Sequence, residues 1–294
     1  MRTNHSAAVI GVGLWGLLLA GLPGCTWMSY IGTDESGSEL GRTYFVGGAG
    51  PIGHVVGTID VPRGLRQGHY RGSIEVFAWQ SVVGGTLRDQ MDRTRNEDQA
   101  RRLAQRIQDY LTEYPGRRVN LVALSAGTGI VAWALEALPP EYRIGTVVFL
   151  GSSLSRPYDL TPALERLDGR LYCFYSSRDP ILRYGVPVTG SVDRESGQVD
   201  AAGLYGFLLP PRAGDHTRNL YRQRLRNRPY KSAYAHYGYR GLHTDSTSPR
   251  FIAKVVVPLL SEPLSPPPPV AHRPDPPGPP GPSSPQLARP GRGF

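Results

Sequence analysis

The chain has 294 residues, 39% of them hydrophobic and 19% charged, with 36 glycines and 28 prolines. Thirteen of those prolines fall from Pro263 onward, so the middle keeps ordinary globular composition; a fully disordered chain, a collagen and a multi-span membrane protein are excluded. The net charge of +9 is almost all arginine, since only Lys231 and Lys254 are lysines, and it favours anionic partners without bearing on fold.

Arg2 is followed by an apolar or glycine run from Ala7 to Leu22. That run falls short of the roughly 20 residues a spanning helix needs and suits the core of a signal peptide. It closes Leu22-Pro23-Gly24-Cys25, which resembles the bacterial lipoprotein cleavage box, whose cysteine becomes the lipidated first residue of the mature protein. The resemblance implies export, lipidation at Cys25 and attachment to a membrane of the cell envelope through a lipid anchor. Pro23 stands where that box carries Ala, Ser or Thr. A plain signal peptide or an uncleaved anchor, with Cys25 incidental, is the alternative. Residues 26–42 read as a polar linker.

From residue 43 to 260 the apolar pattern changes period repeatedly. Thr43–Val46 is a short strand running into Gly47-Gly48-Ala49-Gly50, and Ile74–Trp79 is a second strand. Asn96 is placed to cap a helix, with Glu97 and Asp98 in its first turn and Gln99 at the capping-box position. Ala100, Leu103, Ala104, Ile107, Leu111 and Tyr114 then share one face at spacings of three and four. Val119–Leu124 is a third strand, and 127–138 is a helix stopped by Pro139-Pro140. Val147–Leu150 and Leu171–Tyr175 are two more strands. Ser248 and Pro249 open a last helix with Phe251, Ile252, Val255, Val256 and Leu259 on one face.

Short continuous apolar strands alternating with amphipathic helices predict an α/β fold, a mostly parallel central sheet covered by helices on both faces. Residues 180–247 carry no long periodic run and are expected as a cap-like excursion over the C-terminal edge of that sheet. Residues 261–294 are expected as a Pro-rich disordered tail. The two cysteines exclude a disulfide framework and a Cys-based zinc site, and Cys173, inside a strand, reads as a small buried hydrophobe.

The informative stretch is Ala123-Leu124-Ser125-Ala126-Gly127. A serine lies between a buried strand and a helix, with small residues two before and two after it. A chain that turns so sharply strains its backbone at the turning residue and leaves no room for side chains at those flanking positions. The bland reading is a serine that only caps the helix.

This stretch resembles the nucleophile elbow of the α/β-hydrolase superfamily, Gly-x-Ser-x-Gly, with Ala123 in the first glycine's place. The likeness covers about residues 43–260 and implies a serine esterase or lipase-like hydrolase whose triad follows the chain order Ser, acid, His. It implies Ser125 as nucleophile and Asp179, just past the strand Leu171–Tyr175, as the acid, with Asp159 the runner-up. It implies His243, on the loop before the last helix, as the base, with His236 the alternative. Ala126 and Ala49 are implied as the oxyanion-hole donors. The substrate implied is a small-molecule acyl compound, with no metal and no organic cofactor. The rival from another class is an inactive hydrolase fold serving as an envelope-associated binding or scaffold module.

Arg218, Arg222, Arg224, Arg226, Arg228 and Lys231, interleaved with Tyr221, Tyr230 and Tyr234, have the residue types of a nucleic-acid surface. An exported protein rarely meets nucleic acid, so no nucleic-acid partner is expected. A solvated basic face, an apron against anionic lipid, or a cap that attracts an anionic substrate remain as readings.

Overall fold

The computed structural model of the chain describes residues 31–81, 85–193 and 200–264. The apolar run Ala7–Leu22, Cys25 and most of the Pro-rich tail lie outside the described residues.

In chain order the elements are β1 (Arg42–Val46), α1 (Gly50–Val55), α2 (Asp60–Gln67), β2 (Ser73–Phe77), α3 (Gly85–Met91), α4 (Arg93–Glu113), β3 (Val119–Leu124) and α5 (Gly127–Ala137). Then come β4 (Val147–Leu150), α6 (Thr161–Glu165), β5 (Leu171–Tyr175), α7 (Pro180–Thr189), α8 (Ala202–Tyr205), α9 (Asp215–Arg224) and β6 (Leu225–Pro229). The last helix, α10, starts as Pro249–Phe251, passes through a π-helical stretch Ile252–Val256 and ends as Val257–Leu260.

The pairings between these strands are all parallel and the strands lie in the order β2-β1-β3-β4-β5-β6. Side chains alternate between two cores. Tyr44, Leu121, Ala123, Phe149 and Cys173 pack under α4, α5 and α6, while Phe45, Val122, Leu124, Val148 and Phe174 pack under α2 and α10. The expected class therefore holds: an α/β fold with a parallel sheet covered on both faces.

The strand order also fixes where a ligand can sit. The chain runs from β1 outward to β2, then returns past β1 to β3 and continues the other way. The loops after β1 and β3 diverge at this reversal and leave a crevice at the C-terminal ends of the strands.

Several expectations are corrected. The long helix is capped by Asp92, whose side chain accepts a hydrogen bond from Arg95 N at 3.1 Å, and not by Asn96. Asn96 is fully buried one turn inside, donating its amide to Asp89 O at 2.6 Å. A polar residue with acidic neighbours mimics a cap, but here it serves a buried carbonyl.

In α10 Phe251, Ile252 and Val256 are buried as expected and Val255 and Leu259 are half-buried against the same core, while Val257 and Leu260 join the buried face because the π turn adds a residue and rotates the helix beyond it. Part of the expected linker is folded: Asp34 bridges to Ile74 and Tyr110 donates to Ser38 O at 2.6 Å. The start of the expected tail is folded too, with Glu262 accepting from Tyr172 and Arg170 at 2.5 and 3.1 Å.

The segment 180–247, expected as an excursion over the sheet edge, lines the cavity only through residues near its two ends, among them Ile181, Leu182 and His243, and the rest of it is built into the fold. It supplies the edge strand β6 and the helices α7, α8 and α9. Strand β6 (LRNRP) escaped the sequence reading because an edge strand needs no apolar run. Arg224, from the basic run, is buried and donates to the carbonyls of Asp168 and Gly169, and Arg228 lies over the Tyr172 ring.

Candidate active site

At the C-terminal end of β3 the chain turns into α5 at Ser125, whose φ is +54°. Among the described residues only one other non-glycine residue, His69, has positive φ. For an L-residue such a backbone costs about 1–2 kcal/mol. What holds it is the surrounding main chain: Ser125 N donates to Leu150 O at 3.0 Å, and its own carbonyl accepts from Thr128 N at 3.0 Å. The small neighbours have a direct cause. A Cβ at Gly127 would collide with the carbonyls of Val46 and Gly47, and one at Gly48 would lie 3.2 Å from Ser125 Cβ.

Asp179 comes after β5 and is 2% exposed; its Oδ1 accepts from Leu182 N at 3.0 Å at the start of α7. Its Oδ2 accepts a 2.6 Å hydrogen bond from Nδ1 of His243, which is 7% exposed. The chain reaches this point by another constraint: Gly151, at the end of β4, has φ +53° and lies against the pair. A Cβ there would sit 3.2 Å from His243 Nδ1 and 3.4 Å from Asp179 Oδ2.

The loop after β1 is held from several sides. Trp79 Nε1 and Gln80 Nε2 donate to the carbonyls of Gly47 and Gly48, each at 2.8 Å. Gly48 N donates to Gly53 O at 3.0 Å, and Gly50 N to the buried carboxylate of Asp89 at 2.9 Å. Asp89 also accepts from Ser81 N and pairs with Arg95 at 3.2 Å. These bonds satisfy the neighbours of Ala49 but not its own N–H. Among the described residues no protein group accepts from the N–H of Ala49 or of Ala126.

Ser125, His243 and Ala49 line one cavity of about 270 Å³. Its walls are mainly apolar, from Val56, Leu124, Ile181 and Leu182, with Thr86, Gln90 and Ser153 as polar points. Ser153 Oγ is buried and has no hydrogen-bond partner among the described residues. No residue of 200–240 lines this cavity, so the basic run does not cover it.

The structure thus brings Ser125, Asp179, His243 and Ala49 to one place, with Ala126 next to Ser125. The alternatives lie elsewhere. Asp159 is exposed and caps Thr161 N at 2.9 Å, His236 is exposed on a 3-10 turn, and exposed His216 meets Glu165 at 2.7 Å. The sequence reading missed Trp79, Gln80, Asp89, Gly151 and Ser153. Gly151, directly after the apolar run Val147–Leu150, was the most visible of them, because glycine at a strand end marks close main-chain approach.

No protein-family model matches the chain, and no curated protein matches it. Among solved structures it is similar to Aspergillus fumigatus lipase B, at 13% identity and a TM-score of 0.42, over 80% of this chain and 55% of that one. It thus spans about half the length of that lipase. It is also similar to the agmatine ureohydrolase of Thermoplasma volcanium, at 11% identity and a TM-score of 0.28, over 74% of this chain and 91% of that one.

Proposed function

We propose that the protein is a serine hydrolase of the α/β-hydrolase type, cleaving a carboxylic ester or a related acyl bond through an acyl-enzyme. The observation that carries this reading is at Ser125. A non-glycine residue is held at φ +54° at the end of a central strand, in a cavity it shares with a histidine bonded to a buried carboxylate. Strain of this kind persists only where the surroundings over-determine it, and it is concentrated at functional sites.

In the proposed reaction Ser125 Oγ attacks the acyl carbon while its proton passes to Nε2 of His243. Asp179 holds the Nδ1–H, which fixes the tautomer and stabilises the imidazolium. The negative charge that develops on the carbonyl oxygen is met by the N–H groups of Ala126 and Ala49, which no acceptor among the described residues occupies. Collapse expels the alcohol, which takes its proton from His243. Water then repeats the sequence on the acyl-Ser125 ester, releasing the acid and restoring the serine.

The apolar lining supports a hydrocarbon acyl group, and the unpartnered Ser153 hydroxyl supports one polar group within it. The sequence around Cys25 supports an exported, lipid-anchored protein of the cell envelope.

A fluorophosphonate probe is expected to label the wild-type protein at neutral pH and to leave Ser125→Ala unlabelled. A panel of p-nitrophenyl esters of graded chain length, with an amide counterpart, then ranks the acyl donors. If the wild-type protein is neither labelled nor active on any of them, the inactive scaffold takes the place of this reading.

A further inference from the structure

We propose that the rim of the Ser125 cavity is a membrane-docking surface, and that the protein sits with this mouth against a lipid bilayer. The inference goes beyond the proposed hydrolysis and does not require it, since docking needs no chemistry at Ser125.

The first support is what surrounds the mouth. The cavity is lined by Val56, Gln90, Ile181, Gly185 and His243, and beside these stand large apolar side chains that face water. Tyr184 is 69% exposed, Ile181 52% and Val55 50%, with Met91 and Leu242 also exposed. They come from α1, α3, α7 and the loop before α10, so they flank the opening from several sides. Single exposed apolar residues are ordinary, but a group gathered about one opening marks an interaction surface. Tyrosine and aliphatic side chains together suit the boundary between headgroups and acyl chains. Arg183, exposed between Ile181 and Tyr184, adds a cation suited to anionic headgroups.

The second support is where the chain enters the fold. Gly32 packs against the Thr58 carbonyl and Val76, and Thr33 Oγ1 accepts from Val76 N at 3.1 Å. Val76 is near the C-terminal end of β2, the same end of the sheet at which Ser125 and Ala49 lie. Thr58 is two residues from Val56 in the cavity wall. The apolar run that closes at Leu22 is only nine residues before Ile31, so it is tethered within about 30 Å of this edge. Cys25 is nearer still. Either one, seated in a bilayer, leaves the edge of the sheet that carries the mouth within reach of the membrane. A lipid surface is therefore the occupant that both the rim and the chain's entry point fit.

The test uses the full chain in phosphatidylcholine and phosphatidylglycerol vesicles, with nitroxide labels on three separate variants: Tyr184→Cys, Val55→Cys and Glu113→Cys. Unsubstituted chain treated with the same label supplies the background from Cys25; Cys173 is fully buried. Collision with oxygen and with a water-soluble nickel complex reads depth. At positions 184 and 55, on α7 and α1 and each next in sequence to a residue that lines the cavity, vesicles are expected to raise oxygen access and lower nickel access. Position 113, at the far end of the sheet, stays water-like.

Water-like readings at both 184 and 55 in vesicle-bound protein overturn the proposal. Vesicle-free immobilisation of these labels that disappears on dilution assigns the rim to a second copy of the chain instead. If one cysteine variant does not fold, the other still reads the mouth. Ser125→Ala in the same background is expected to dock unchanged, which separates this result from the fate of the hydrolase reading.

Discussion

The carboxylate of Asp179 accepts a 2.6 Å hydrogen bond from Nδ1 of His243, a residue 64 positions further along the chain. Both are buried, yet each belongs to a loop. The loops meet because β5 ends beside β4, where Gly151 leaves room for an imidazole. If this bond sets the tautomer that accepts the serine proton, Asp179→Asn removes that control while keeping the shape. Fluorophosphonate labelling and ester hydrolysis should both fall by about 10⁴-fold. A chain that melts like wild type but labels as fast as wild type would show that Asp179 plays no part.

Ser125 separates chemistry from stability. Glycine accepts φ +54° without the Cβ penalty, whereas alanine does not. Ser125→Gly is therefore expected to be inactive yet more stable than Ser125→Ala by about 1 kcal/mol, which is roughly 2–4 °C in Tm for a domain of this size. Equal melting temperatures for the two variants would mean that the turn carries no strain.

Asp89 touches nothing in the cavity but holds Gly50 N, Ser81 N and Arg95 around the loop that carries Ala49. Asp89→Ala leaves these donors without their acceptor and is expected to destabilise the fold by about 3 kcal/mol. In protein that remains folded, kcat should drop more than KM rises, because the loop's donor acts on the developing oxyanion. An unchanged kcat in folded Asp89→Ala would remove Ala49 from the reaction.

Glu75, on the edge strand β2, gives a pH dependence. Burial, the largest influence, lifts its carboxyl above the ordinary value of 4.5 against the opposing pull of Arg106 and Arg42. A carboxyl whose folded value is raised binds its proton more tightly in the folded chain. Its contribution is therefore complete below pH 4.5 and is lost as pH climbs through the folded value. Wild type should lose stability relative to Glu75→Gln as pH is raised from 4.5 through the folded value, read from urea midpoints. A gap between the two chains that stays constant over that range would contradict this.

Much of the fold could be read from the residues because the central strands are buried on both faces. Runs such as Val119–Leu124, apolar but for Asn120, and Leu171–Tyr175 stand out in the sequence, and their bounds agree with the structure. The edge escaped for the opposite reason. In β6 only one side of the ladder is paired and the residues alternate arginine with others, so no apolar signal forms.

The same contrast runs through the candidate site. Ser125 announces itself because its constraint is local, written into Ala123 and Gly127. Trp79, Gln80 and Asp89 act on a loop more than 25 residues away, and nothing in their own neighbourhood says which carbonyl or N–H they reach.

The π turn in α10 has a consequence for the molecule's two chain extensions. Beyond it Glu262 reaches Tyr172, Arg170 and Arg118, which stand at the starts of β5 and β3. Glu262 therefore stands at the pole opposite the one where Gly32 comes in. Forces applied to the chain at Gly32 and at Glu262 would load the fold along the strand axis from its two ends.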